Sequence, residues 1–161
     1  MHAANPAQQL KKPRSDPRPA VLLVDDNDDD VVLTVQALAE SQIDASDVVI
    51  VRDGSEAIDY LASDGPPMPG GAERLPKLIL LDINLPKLSG LTVLDSLRQS
   101  ERTRYIPTVI LTSSNAVRDI RESYRLGANS YIQKPIDSDE FARLIGHVTT
   151  YWLAMNLAPN A

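Results

Sequence analysis

Short unbroken apolar runs alternate along this chain with segments whose apolar residues recur at helical spacing. Ala20-Val21-Leu22-Leu23-Val24, bounded by Pro19 and Asp25, reads as a buried first strand. Val31, Val32, Val35, Leu38 and Ala39 then trace one side of an amphipathic helix. Asp47 to Val51 reads as a second strand, and Gly54-Ser55-Glu56 opens a helix with Ala57, Ile58 and Leu61 inward. Leu78-Ile79-Leu80-Leu81 is apolar at every position, the pattern of a strand covered on both faces. It ends on Asp82, and Pro86 lies too close behind for the ladder to continue. A helix carrying Leu91, Leu94 and Leu97 follows, then a fourth strand from Pro107 to Thr112. Val117, Ile120 and Tyr124 mark the next helix, with Gly127 suited to its C-terminal cap. Ser130 to Gln133 is the fifth strand. A last helix starts near Ser138, capped by Ser-Asp-Glu, with Phe141, Leu144, Ile145, Val148 and Trp152 as its stripe.

Strands alternating with helices imply an α/β fold: an open, doubly wound parallel sheet with helices on both faces and right-handed crossovers. The expected domain runs over residues 20–150. Residues 1–19, rich in proline and basic residues, are expected to be a flexible arm, and 151–161 a C-terminal helix extension and tail. Ser63 to Pro76, with its prolines and glycines and no periodicity, reads as a long loop.

Open sheets of this kind bind ligands beyond the carboxyl ends of their strands. The chain places its polar residues there: Asp25 and Asp26 after the first strand, Asp82 at the third, Thr112 ending the fourth and Lys134 after the fifth. A carboxylate at the end of a buried strand is costly unless paired. Three of them on one rim call for a divalent cation, and oxygen-only ligands favour a hard ion such as Mg2+. Aspartate is a phosphoryl acceptor in covalent catalysis, which needs positioning and charge neutralisation from its surroundings. Asp82 is therefore read as the acceptor, with Lys134 as a mobile counter-charge and Thr112 as a hydroxyl donor. Asp28, Asp29 and Asp30 are read as first-turn acids that complement a helix dipole rather than as metal ligands.

Composition narrows the classes further. The chain has no cysteine, which excludes disulfides, thiolate metal sites and cysteine nucleophiles. A net charge of −6 argues against general nucleic-acid binding. No apolar run approaches bilayer length and no signal-peptide core is present, so a cytoplasmic location is expected.

Val24-Asp25-Asp26, the Leu80-to-Pro86 run around Asp82, Gly90, Leu111-Thr112-Ser113-Ser114 and Tyr131-Ile132-Gln133-Lys134-Pro135 together resemble the receiver domain of bacterial response regulators. The resemblance implies a flavodoxin-like (βα)5 sheet of strand order 2-1-3-4-5. It implies that Asp82 is phosphorylated by a histidine kinase, with Mg2+ held by Asp25, Asp26, Asp82 and the backbone carbonyl of Asn84. It further implies that the side chains of Asn84 and Ser114 tune dephosphorylation, that Thr112 and Tyr131 move together as a switch, and that the bond before Pro135 is cis. Such a protein supports its own phosphotransfer and autodephosphorylation but is not a stand-alone enzyme.

After Phe141 only one helix and a few residues remain, too little for a DNA-binding or catalytic output domain, so the output is expected to be a protein contact. Apolar residues spread around the end of that helix, Tyr151, Trp152 and Leu153, suggest a homodimer. The Pro/Gly-rich insertion, the Ile83-Asn84-Leu85-Pro86 run and the Tyr-Trp-Leu ending are similar to small regulators paired with bacterial phytochromes, which points to a phytochrome as the sensor kinase. Two other classes compete. A haloacid-dehalogenase-type phosphatase would also use an Asp nucleophile, but normally needs a second Asp where this chain has Asn84. A non-phosphorylated binding scaffold would not need the intact acids, Thr112 and Lys134.

Overall fold

Five strands, β1 (Val21–Val24), β2 (Val48–Val51), β3 (Leu78–Leu81), β4 (Thr108–Thr112) and β5 (Ser130–Gln133), form one parallel sheet in the order β2-β1-β3-β4-β5. Between and after them run α1 (Asp28–Glu40), α2 (Gly54–Ala62), α3 (Gly90–Gln99), α4 (Val117–Arg125) and α5 (Ser138–Thr149). This computed structural model describes residues 18–62 and 75–159. Most of the expected N-terminal arm and of the Ser63-to-Pro76 loop lies outside the described residues.

The unbroken apolar runs are explained by two separate cores. Leu22, Val24, Ile79, Leu81 and Ile110 face one side of the sheet, where Ala57, Leu61, Val93, Leu94 and Leu97 cover them. Val21, Leu23, Leu78, Leu80, Val109 and Leu111 face the other, against Val31, Leu38, Phe141 and Ile145. Side chains alternate along each strand, so a strand covered on both faces must be apolar throughout.

Several helices sit rotated from the expected stripes. In α1 the buried residues are Val31, Thr34, Ala37 and Leu38, whereas Val32 is 54% exposed. Thr34 can be buried because its hydroxyl donates to the Asp30 carbonyl at 2.7 Å. In α4 Val117 and Tyr124 are exposed and the fully buried residue is Ser123, whose hydroxyl donates to the Asp119 carbonyl. A small, internally satisfied side chain lets the helix approach the sheet where a larger one would hold it away. Gly127 follows α4 at φ +102°, as its expected capping role requires. The cap of α5 is one residue earlier than expected: the Asp137 carboxylate accepts the Glu140 N–H at 2.8 Å. Beyond Thr149 the chain widens into a π-helical segment, Thr150–Met155. Trp152 and Leu153 are half-buried against the α1–α5 core, while Tyr151, Met155 and Leu157 are exposed. No helix among the described residues is long and apolar enough to cross a membrane.

Candidate functional site

The sheet register builds the site. Val24 pairs with Leu81, so Asp25 and Asp82 leave adjacent strands level with one another. Leu81 pairs with Ile110, which puts Thr112 one residue beyond the level of Asp82. Thr112 pairs with Gln133, and its carbonyl accepts the Lys134 N–H at 2.7 Å. The expected rim of Asp25, Asp26, Asp82, Thr112 and Lys134 is thus a consequence of strand order.

Asp25 and Asp82 are fixed in the same way. Each Oδ1 accepts the backbone N–H two residues on, from Asn27 and Asn84 respectively, both at 3.0 Å. Each Oδ2 accepts from the Lys134 ammonium at 2.8 Å. All three side chains are buried: Asp25 is 1%, Asp82 7% and Lys134 9% exposed. Burial pushes the Asp25 carboxyl above the ordinary carboxylate range, against the opposing hydrogen bonds from Lys134 and the Asn27 N–H. Burial alone would lower the Lys134 pKa. Its hydrogen bonds to carboxylates outweigh that effect and raise it, so the ammonium stays charged.

The third of those carboxylates is Asp30, whose Oδ2 also lies 2.8 Å from Lys134 Nζ. From its position in the chain Asp30 is expected only to complement the helix dipole. One signal was available: Asp30 lies in the first turn of the helix that leaves the acidic rim. The other two acids of that first turn do not bond to Lys134 among the described contacts. Asp28 meets Arg52, and Asp29 is exposed.

Carboxylate oxygens of Asp25, Asp26 and Asp82 lie within 4.8 Å of one another. That spacing suits a single hard cation, since twice a cation–oxygen bond of about 2.0–2.6 Å spans about 4–5 Å. Asp26 is exposed, so the trio opens to solvent and leaves room for waters or a phosphoryl oxygen. The residues present therefore fit a divalent ion. Asn84 is also exposed, and its backbone N–H donates to Asp82.

Two glycines hold the loop after Asp82 in place. A Cβ on Gly90 would stand 2.1 Å from the Asp82 carbonyl oxygen, and one on Gly54 would stand 2.2 Å from the Leu88 carbonyl oxygen. The Gly90 N–H donates to the Ile83 carbonyl at 2.8 Å. Lys87, at φ +65°, reaches from the same loop to Asp53, 3.2 Å away.

On the far side of the site, Thr112 is fully buried, with Oγ1 3.4 Å from the Ser114 N–H. The Ser114 carbonyl accepts the Tyr131 hydroxyl at 2.8 Å, and its own hydroxyl donates to Asp119 at 2.6 Å. Ser114 thus joins Thr112, Tyr131 and α4. The expected cis bond before Pro135 is not found, as no peptide bond among the described residues is cis. The trans form is the intrinsically favoured one, by about 0.5–1 kcal/mol.

Comparison with known proteins agrees with this geometry. The model of the response regulator receiver domain matches residues 21–146. The probable methanogenesis regulatory protein FilR2 of Methanothrix harundinacea is 37% identical over 86% of this chain and 86% of its own length. Response regulator Rcp1 of Synechocystis is 34% identical over 91% of this chain and 97% of its own, and its Mn2+-bound crystal structure superposes with a TM-score of 0.76. The phosphorylated cyanobacterial phytochrome response regulator RcpA, 37% identical, gives a TM-score of 0.78 over 88% of this chain and 99% of its own. A five-stranded 2-1-3-4-5 sheet carrying an acid trio, a threonine and a lysine on its carboxyl rim, in a chain matched over its whole sheet, makes this protein a member of the response regulator receiver family.

Proposed function

We propose that the chain acts as a single-domain response regulator in a two-component phosphorelay, with Asp82 as the phosphoryl acceptor and a sensor histidine kinase as donor. The observation that carries this reading is the Asp25–Lys134–Asp82 arrangement, in which one buried ammonium bridges a metal-ligand acid and the acceptor. In the transfer an Asp82 carboxylate oxygen attacks phosphorus. The P–N bond to the kinase histidine breaks, and its electron pair and a proton end on the imidazole. A bound Mg2+ ion would neutralise phosphoryl charge from the side of Asp25, Asp26 and the Asn84 carbonyl. Lys134 neutralises it from the other side, and the Thr112 hydroxyl supplies a hydrogen bond. Hydrolysis of the aspartyl phosphate resets the protein, and the side chains of Asn84 and Ser114 are assigned to tune its rate.

The output is a change of surface. Movement of Thr112 toward the phosphoryl group would pull on Ser114, and through it on Tyr131 and Asp119 at the start of α4. The likeness to RcpA, a phytochrome response regulator by its description, supports a phytochrome as the sensor. A homodimer through the last helix is proposed on the exposed Tyr151, Met155 and Leu157, with Trp152 and Leu153 half-available beside them. A phosphatase of the dehalogenase type is disfavoured by Asn84, which has no proton to lend as a general acid.

Phosphotransfer from an autophosphorylated bacteriophytochrome kinase tests the reading. Label should pass to the wild-type chain, and none should pass to Asp82→Asn. Rapid turnover of varied phosphate esters would instead point to an enzyme. Sedimentation at micromolar concentration, with and without beryllofluoride, tests the dimer, and a monomer under both conditions would remove it.

A further inference from the structure

Lys134 makes hydrogen bonds to three carboxylates, and only two of them belong to the cation-binding trio. The ammonium therefore competes with a divalent ion for Asp25 and Asp82. As those two acids turn their oxygens toward a cation, a buried ammonium would be left short of counter-charge. Asp30 answers that need. Its backbone N–H is fixed by the Asn27 side chain at 3.0 Å, and its carbonyl accepts the buried Thr34 hydroxyl at 2.7 Å. The first turn of α1 is thus rigid at this residue and aims its carboxylate at Lys134 from a sequence distance of 104 residues.

We propose that Asp30 is a positioning residue that keeps Lys134 paired while Asp25 and Asp82 are given over to a divalent cation, and that it thereby sets the affinity of the site for that cation. The inference rests on the phosphoacceptor reading above and adds a residue to it. Asp29 provides the contrast: the same charge, one residue away, exposed and outside the Lys134 cluster. If Asp30 acted only through net charge or the helix dipole, removing either acid would have the same effect.

Calorimetric titration with Mg2+ distinguishes these cases on the full chain. Asp30→Asn is expected to weaken binding about ten-fold, in line with the loss of a partner that supports metal ligands. Asp29→Asn should change it by less than about two-fold, as expected of a screened surface charge, and Asp30→Glu should restore most of the loss. In a Lys134→Met background, where there is no ammonium to hold, Asp30→Asn should weaken binding no more than Asp29→Asn does. Thermal unfolding by circular dichroism confirms that each variant is folded. Equal effects of Asp30→Asn and Asp29→Asn, or an Asp30→Asn effect that persists without Lys134, would overturn the inference and leave the phosphoacceptor reading intact. A wild-type chain that gives no Mg2+ binding would overturn both.

Discussion

Gly90→Ala is a small substitution with two opposed expectations. Judged by local propensity it should help, since replacing Gly by Ala where φ allows stabilises a protein by about 0.4–1 kcal/mol. Gly90 is the first residue of α3 and its φ is not positive, so the backbone itself offers no objection. The surroundings do. The new Cβ would lie 2.1 Å from the Asp82 carbonyl oxygen and 2.8 Å from the Ile83 Cα, against a closest real approach of 3.0 Å. One backbone must therefore yield by 0.9 Å, the difference between 3.0 and 2.1 Å. Neither contact is the end of a flexible side chain. Overpacking of this kind costs about 1–3 kcal/mol, and subtracting the propensity gain leaves a net loss of about 1–2 kcal/mol. For a chain of this size that lowers Tm by about 2–8 °C. The displaced residue is the acceptor itself, and a shift near 1 Å can cost about 100-fold in rate. Gly54→Ala is the control: the three atoms nearest its new Cβ all belong to Leu88 in the same loop, where those nearest the Gly90 Cβ belong to Asp82 and Ile83. Thermal melts together with the rate of phosphorylation by acetyl phosphate give the answer. Gly90→Ala should lose far more rate than Gly54→Ala at a similar loss of stability. A Gly90→Ala chain that melts higher than wild type and phosphorylates normally would refute the reasoning.

Three further outcomes follow from the same contacts. Lys134→Met leaves buried carboxylates unpaired and should destabilise the metal-free chain by about 3–5 kcal/mol; melts with and without Mg2+ should show the ion recovering more stability in the variant than in wild type. Arg98→Met removes four hydrogen bonds, to the Gly127, Arg104 and Ile106 carbonyls and the Asn129 side chain, and should cost about 2–4 kcal/mol in urea unfolding, with Arg98→Lys only a partial rescue because it lacks the planar fork. The Asp53 carboxyl is held below the usual range by the Glu56 N–H and by Lys87, so it stabilises the fold above its unfolded pKa of about 3.9 and loses that contribution as pH falls through its folded value. The stability gap between wild type and Asp53→Asn should therefore narrow on acidification toward pH 2, and a gap that stays constant would contradict the assignment.

The elements that could be read from the sequence are those whose cause is local. Four apolar residues in a row at Leu78–Leu81 can only be a doubly covered strand or a buried helix, and Pro86 decides between them. Once five such strands alternate with helices, the carboxyl rim collects Asp25, Asp26, Asp82, Thr112 and Lys134 without further information. What escaped depends on contacts distant in sequence. Asp30 looks like its neighbours Asp28 and Asp29 until the helix phase turns it toward a lysine far along the chain. Arg98, in the last turn of α3, carries no local signal of its role. Only the fold shows that it ties the entry of β4 to the loop before β5. Helix phase misled for a related reason. Ser123 is polar by composition, yet it is the residue that lets α4 approach the sheet.

The central claim is that Asp82 accepts a phosphoryl group under the control of a divalent ion and Lys134. Intact-mass and peptide mass spectrometry after incubation with acetyl phosphate tests it directly. The account predicts a single phosphoryl group per chain, mapped to the peptide containing Asp82, formed with Mg2+, lost on chelation before the reaction and absent from Asp82→Asn. Modification that persists on Asp82→Asn, or a wild-type chain that stays unmodified with Mg2+ and acetyl phosphate in excess, would contradict it.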